Sequence, residues 1–388
     1  MRTKIINTTV VTGYVVLENC GITISDCGKI EEIFNMKRYV NEKDSKIYDA
    51  QGLYVCPGLI DTHIHGIEGF GTEDISTQSI LGMSESLVKY GITSFLPTVY
   101  PQSPEKLYAS EHAISDAMGK ENGATIVGIN LEGPFVSPER PGALPPQAIS
   151  LVDIDYFDRI VKEGQGNIVC MSVAPELKHM RSLALKALSE NIVLLAGHTN
   201  AKYENIIEGM QCGIMHSTHF FNAMSRLHHR NPGVVGAVLI QRDMCCEIIA
   251  DGVHVHPELV KLLLREKPVE NVVLVTDSLK PTNQKNRPYF ANGVEVIHGE
   301  GGAFVSAENP NLLNGSALTL NRAVGNIVNW GVSIEDAVKM ATENPARIYN
   351  MKSKGQIKVG TDADIAVFDE NFDAKLVLIQ GVEKFNTL

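Results

Sequence analysis

The feature that most constrains the fold is a series of eight apolar runs of strand length, each followed by a helix-compatible segment. Buried parallel strands are continuously apolar and require crossover helices, so this alternation predicts eight parallel strands. Eight such units predict a (β/α)8 TIM barrel over residues 54–354. The runs span residues 54–60, 92–99, 125–131, 167–173, 192–196, 213–215, 245–250 and 271–276.

The two ends of the chain differ from the middle in their pattern of apolar and turn residues. Residues 1–53 and 355–388 contain short β-like runs separated by turn residues such as Gly28 and Gly360. Such runs, bounded by turn signals, are typical of strands. We therefore predict a small β-sandwich domain built from both termini, beside the barrel domain.

Charge and cysteine content narrow the function classes. The net charge of −11 and pI near 5.6 disfavour a nucleic-acid partner or an anionic membrane surface, although a local basic pocket for a small anion is compatible with them. Seven cysteines without a CxxC pair predict reduced thiols and a cytoplasmic location. There is no signal-type core and no 18-residue apolar span, so we expect no membrane segment.

Polar residues collect where the predicted strands end. In a (β/α)8 barrel these C-terminal ends carry the reactive groups. The His63 and His65 pair, separated by one residue, points to one side of a strand and can ligate one cation. Together the strand ends offer a candidate metal site: His63, His65, Glu132, His198, His219 and Asp277.

Structural explanations compete with that interpretation for each residue taken singly. A histidine after a strand is usually held by structural hydrogen bonds, and Glu132 or Asp277 could cap a helix. All of these explanations would have to hold independently at five of the eight strand ends. The joint pattern therefore favours a metal site.

Seven strings extend this pattern across nearly the whole chain. In order, they are VCPGLIDTHIHG, INLEGPF, LLAGHTNA, STHFFNAM, HHRNPGVVGA, IIADGVHV and LVTDS. They resemble the N-acetylglucosamine-6-phosphate deacetylase family of the amidohydrolase superfamily. The resemblance implies metal-dependent hydrolysis of the N-acetyl group of N-acetylglucosamine 6-phosphate, giving glucosamine 6-phosphate and acetate.

The resemblance also implies roles for the strand-end residues. Glu132, His198 and His219 match the family's principal metal ligands, and His63 with His65 would complete a second position. One or two divalent cations are therefore expected, zinc first, with iron or another transition metal as alternatives. The fourth strand end reads SVAPE and offers no lysine, so Glu132 would bridge. Asp277 matches the family's general base.

Substrate-binding residues follow from the same resemblance. The backbone N–H groups of Asn222 and Ala223 are expected to bind the sugar phosphate, with a further contact from His254. Arg230 matches an arginine that reaches the phosphate in a neighbouring subunit, which implies a homodimer.

One departure bears on the substrate. Family members carry a histidine in a Gly-Ala-His loop, thought to polarise the amide oxygen, whereas Leu144 stands at that position here. Leucine cannot donate a hydrogen bond. Either the metal polarises the carbonyl unaided, another residue substitutes, or the substrate is a related sugar such as N-acetylgalactosamine 6-phosphate. A different amidohydrolase and a non-catalytic relative are the remaining alternatives.

Overall fold

The computed structural model describes residues 2–40 and 45–388, and its centre is the predicted barrel. Eight parallel strands follow one another in chain order around it. The prediction of a (β/α)8 barrel is confirmed. The strands are Leu59–Ile64, Ile92–Val99, Ile129–Leu131, Ile168–Val173, Val193–Ala196, His216–Ser217, Cys245–Ile249 and Val272–Val275.

The barrel closes through hydrogen bonds between the residues that follow its last strand and those of its first. The Asp277 backbone N–H donates to the His63 carbonyl oxygen at 2.8 Å. The His65 N–H donates to the Ser278 carbonyl oxygen at 2.9 Å. Closure therefore brings two strand ends of the candidate site side by side, although 212 or more residues separate them in sequence.

Helices cover the outside of the barrel. Ile154–Glu163 shows why such segments form: the Asp153 side chain accepts the Tyr156 N–H at 3.0 Å, and one helix face buries Phe157 and Ile160. The helices are Thr77–Leu87, Pro104–Ala117, Ile154–Glu163, Met180–Ser189, Tyr203–Met210, Gly233–Ile240, Pro257–Glu266, Leu320–Asn329, Ile334–Met340 and Glu343–Ile348. None of them is long and apolar enough to cross a membrane.

A second sheet joins both ends of the chain. Its eight strands are hydrogen-bonded in one continuous sheet, and residues from both termini share one hydrophobic core that includes Ile22 and Leu376. The strands are Thr3–Val11, Val16–Ile24, Ile30–Asn35, Lys46–Asp49, Tyr54–Pro57, Ile365–Phe368, Ala374–Ile379 and Val382–Asn386.

Several predicted strand boundaries are wrong. The run 54–60 is divided, because Tyr54–Pro57 pairs with the terminal sheet and the barrel strand begins at Leu59. The run 125–131 breaks at Gly128, whose φ of 143° is left-handed. The sixth strand is His216–Ser217 rather than residues 213–215. Apolar runs do not reveal which sheet supplies the hydrogen-bond partners, so these limits are set by tertiary structure.

An inserted four-stranded antiparallel sheet follows the last barrel strand. Its strands are Tyr289–Ala291, Val294–His298, Phe304–Ser306 and Leu313–Gly315. Its final strand runs beside the C-terminal end of the barrel, where Ser278 bridges to Ser316. The insertion therefore forms part of the wall around the candidate site.

Candidate active site

The structure brings all six strand-end residues together at the C-terminal end of the barrel. They form two groups, and within each group the candidate ligand atoms lie within 4.8 Å of one another. Strands one and eight supply the first group, and strands three, five and six supply the second. The groups are His63, His65 and Asp277, and Glu132, His198 and His219.

Two of the imidazole rings are held by backbone carbonyl groups. His65 Nδ1 lies 3.0 Å from the Thr98 carbonyl oxygen, and His198 Nδ1 lies 3.1 Å from that of Pro141. A carbonyl oxygen only accepts, so each Nδ1 carries the hydrogen and each Nε2 presents a lone pair to the centre. These are the tautomers that a metal ligand requires.

The facing atoms fit a cation. His198 Nε2 lies 3.0 Å from both Glu132 Oε1 and His219 Nε2. In the first group, His65 Nε2 lies 3.3 Å from Asp277 Oδ1, and His63 Nε2 is buried without a hydrogen-bond partner among the described residues. Lone pairs that converge in a buried space repel one another unless a proton or cation lies between them. The donor set of imidazoles and carboxylates suits a divalent transition metal.

The histidines keep the two carboxyl groups ionised. Burial opposes ionisation of Glu132, but a proton shared with Nε2 of His198 or His219, in the place that a cation would take, forms hydrogen bonds that outweigh burial. These bonds hold the pKa of Glu132 well below the ordinary value. Burial acts in the same direction on Asp277, and the hydrogen bond with His65 and the charge of His63 lower its pKa. Both groups are therefore carboxylates, which can ligate a cation or accept a proton.

The local backbone at this site is unusual. His198 and Asp277 have φ of 45° and 51°, a left-handed conformation that L side chains rarely adopt. Gly197 precedes His198, and a Cβ there would lie 1.9 Å from Thr218 Cγ2. Only glycine fits that position. The strained turns aim these side chains into the barrel mouth, and the surrounding hydrogen bonds hold them there.

A cavity of about 390 Å³ opens above the ligand groups. His65, Glu132, His198, His219 and Asp277 line it, whereas His63 lies beneath them, fully buried. Three of the four residues predicted to bind phosphate also line the cavity: Asn222, Ala223 and His254. Arg230 does not line it, and its side chain is exposed beside His229.

The surroundings of His254 favour the binding of an anion. Its Nδ1 lies 2.6 Å from Asp251 Oδ2. Burial works against its charged form, but the hydrogen bond with Asp251 outweighs burial and raises the pKa of His254. This histidine can therefore present a positively charged donor to the cavity.

The structure adds residues that the sequence reasoning did not assign. Tyr100 stacks on His65 with ring centroids 3.7 Å apart, and both side chains line the cavity. Arg226 also lines it, four positions before Arg230. Leu144 is buried in the cavity wall, in one apolar cluster with Tyr100. The sequence assigned no role to Tyr100 or Arg226, because their orientation depends on loop geometry.

This chain belongs to the amidohydrolase family, whose model matches residues 54–384. It is a hydrolytic enzyme of a metal-dependent family that acts on amide bonds. The resemblance inferred from the seven sequence strings is thereby confirmed.

Similar proteins within the family are sugar-phosphate deacetylases. The chain is 33% identical over 378 residues to the N-acetylglucosamine-6-phosphate deacetylase of Bacillus subtilis, covering 96% of this chain and 94% of that one. It is 30% identical to the N-acetylgalactosamine-6-phosphate deacetylase of Escherichia coli O157:H7, covering 94% of each. The N-acetylglucosamine-6-phosphate deacetylase structure from Pasteurella multocida superimposes with a TM-score of 0.92 at 25% identity over 100% of both chains.

Proposed function

We propose that this enzyme hydrolyses the N-acetyl group of N-acetylglucosamine 6-phosphate, releasing glucosamine 6-phosphate and acetate. The observation that carries the proposal is a single cavity that joins cation ligands and a carboxylate at its base with His254, paired with Asp251, in its wall. The cation ligands and the carboxylate suit amide hydrolysis, and the histidine suits a phosphate. The similarity to the Bacillus subtilis deacetylase over 96% of the chain supports the same substrate.

The metal centre belongs to this proposal. Glu132, His198 and His219 would hold one divalent cation, zinc first, and His63 with His65 and Asp277 would hold a second. A cation bound there polarises the amide oxygen and makes water more acidic. Glu132 has Oε1 directed at His198 and Oε2 at 3.4 Å from His65 Nε2, so one carboxylate faces both groups.

Asp277 performs the proton transfers in the proposed mechanism. Its ionised carboxylate accepts a proton from the water that attacks the acetyl carbon. It then returns that proton to the sugar nitrogen as the C–N bond breaks. The strained turn at Asp277 and the hydrogen bond from its backbone N–H to the His63 carbonyl oxygen hold the carboxylate in place through both steps.

Two arginines, Arg226 and Arg230, are candidates for the phosphate contact in this proposal. Arg226 lines the cavity of its own chain, whereas Arg230 is exposed and would serve a neighbouring subunit in a homodimer. His254 and the backbone of Asn222 and Ala223 would complete the anion site. We propose a cytoplasmic homodimer, with domains at residues 1–53 plus 355–388 and 54–354.

The epimer of the substrate is the second candidate function. The 30% identity to the Escherichia coli N-acetylgalactosamine-6-phosphate deacetylase supports N-acetylgalactosamine 6-phosphate as the alternative substrate. Leu144 lies in the cavity wall and offers no donor to the acetyl oxygen. Tyr100 packs in the same apolar cluster, lines the cavity and carries a hydroxyl that can donate a hydrogen bond.

The deciding experiment compares hydrolysis of the two epimeric 6-phosphates by one preparation whose metal content is measured at the same time. We expect acetate release with a higher kcat/KM for the glucosamine epimer and at least one divalent cation per subunit. A higher kcat/KM for the galactosamine epimer would transfer the proposal to that sugar. Metal-free protein with full activity would refute the mechanism.

A further inference from the structure

A buried carboxylate that the proposed mechanism does not use lies directly beneath the metal ligands. Glu247 belongs to the seventh barrel strand and is 3% exposed. Its Oε2 lies 3.1 Å from His63 Nδ1, 2.8 Å from Thr218 Oγ1 and 3.4 Å from the His219 backbone nitrogen. One oxygen therefore contacts a residue of the first ligand group and the turn that carries a residue of the second.

Burying the Glu247 carboxylate lowers the stability of the fold, so we expect it to serve a function. Its Oε1 is buried and has no hydrogen-bond partner among the described residues. A buried carboxylate with one oxygen unpaired is strongly unfavourable, and an apolar side chain would pack the same barrel layer without that cost. The contact of Oε2 with His63 is the feature that an apolar residue could not supply.

His63 needs such a partner because its tautomer is otherwise undecided. Unlike His65 and His198, it has no backbone carbonyl at Nδ1 within residues 2–40 and 45–388. Its two neighbours there are Glu247 Oε2 at 3.1 Å and the Thr218 hydroxyl at 3.0 Å. A hydroxyl can donate to Nδ1 as well as accept from it. If it donated, the ring hydrogen would lie on Nε2 and block that atom as a ligand.

The carboxylate removes this ambiguity. Glu247 Oε2 can only accept, so it draws both the Thr218 hydroxyl hydrogen and the His63 Nδ1–H. His63 Nε2 then keeps its lone pair and points towards Glu132 and Asp277, at 3.7 Å and 3.8 Å. A carboxylate behind a ligating histidine fixes ring orientation and raises ligand basicity.

We propose that Glu247 is a positioning residue that makes His63 a metal ligand and so determines whether the first ligand group holds its own cation. The proposal rests on the proposed metal-dependent function. It predicts that Glu247 controls the affinity for one ion and leaves the ion held by Glu132, His198 and His219 largely unaffected.

The test is Glu247→Gln, which keeps the side-chain size but adds an amide that can donate to Nδ1. Stepwise Zn²⁺ dissociation constants are measured by chelator competition on the full chain, and folding is checked by circular dichroism. We expect one constant to rise about 10- to 100-fold while the other changes little. The matched control is Glu111→Gln, another buried glutamate outside the barrel, which should leave both constants unchanged.

A double-variant cycle separates positioning from general disruption. His63→Ala should weaken the same ion, and adding Glu247→Gln to it should cause little further loss, because Glu247 acts through the absent ring. If Glu247→Gln alone misfolds, Glu247→Asp replaces it, because the shorter carboxylate withdraws from His63 Nδ1 and should weaken the same ion.

The outcomes distinguish this proposal from the proposed function. Unchanged constants in Glu247→Gln, or equal loss of both ions, would overturn the role of Glu247 and leave the deacetylase proposal standing. Additive losses in the double variant would do the same. Wild-type protein that binds no Zn²⁺ at all would overturn both.

Discussion

Glu111 supports a prediction about stability whose size follows from its surroundings. It lies in the helix Pro104–Ala117, is 0% exposed, and neither carboxyl oxygen has a hydrogen-bond partner among the described residues. Burial, reinforced by the nearby charge of Glu163, raises the pKa of Glu111 from 4.5 to about 8. The folded protein therefore holds this group in its neutral form at neutral pH.

The sign of the effect follows from proton binding. Because the folded-state pKa exceeds the unfolded one, ionisation of Glu111 adds no cost below pH 4.5. The ionisation cost then grows as pH rises to about 8 and levels off above it. At about 1.4 kcal/mol per pKa unit, the full shift corresponds to roughly 5 kcal/mol. For a chain of 388 residues this is a change in Tm of about 6 °C.

The assay is the Tm of wild type and Glu111→Gln between pH 5 and pH 9 by scanning calorimetry. Glutamine is neutral throughout, so we expect similar Tm values at pH 5 and a variant about 6 °C more stable at pH 9. Glu258→Gln, an exposed helical glutamate paired with Lys261, is the control and should show no such divergence. A Tm difference between wild type and Glu111→Gln that does not change with pH would refute the reasoning.

Three further predictions concern the active site. Asp277→Asn should lower kcat by about 10²-fold or more with metal still bound, measured by acetate release and elemental analysis, since the amide lacks basicity; full turnover would exclude the proton transfer. Leu144→His should raise kcat/KM for N-acetylglucosamine 6-phosphate relative to its epimer if the loop was reshaped for another sugar, and equal ratios would show that the leucine does not set preference. Arg230→Ala should reduce kcat/KM for phosphorylated but not unphosphorylated sugar by about 10- to 100-fold if a partner subunit supplies it; the same loss in Arg226→Ala instead would assign the phosphate contact to the chain's own arginine.

The candidate site could be predicted in part because barrel geometry converts strand order into position. Every C-terminal strand end in a closed parallel barrel faces one rim, so polar residues that end separate apolar runs must meet there. This is why His63, Glu132 and Asp277 could be grouped from sequence, although they lie far apart along the chain. The HxH pair added a local signal, since alternate residues of a strand share one side.

What lies behind and around those residues was decided by tertiary structure alone. Glu247 reads in sequence as one polar residue within a buried strand, and only closure of the barrel sets its Oε2 against His63. The entry of Tyr100 and Arg226 into the cavity depends on loop conformations. The assignment of Tyr54–Pro57 to the terminal sheet depends on hydrogen bonds with Ile365–Phe368, more than 300 residues away.

The sequence by itself determined the order of strands and the chemistry at their ends, because periodicity and residue type are local. Partner choice and side-chain approach arise from contacts between distant segments, and these exist only in the folded chain.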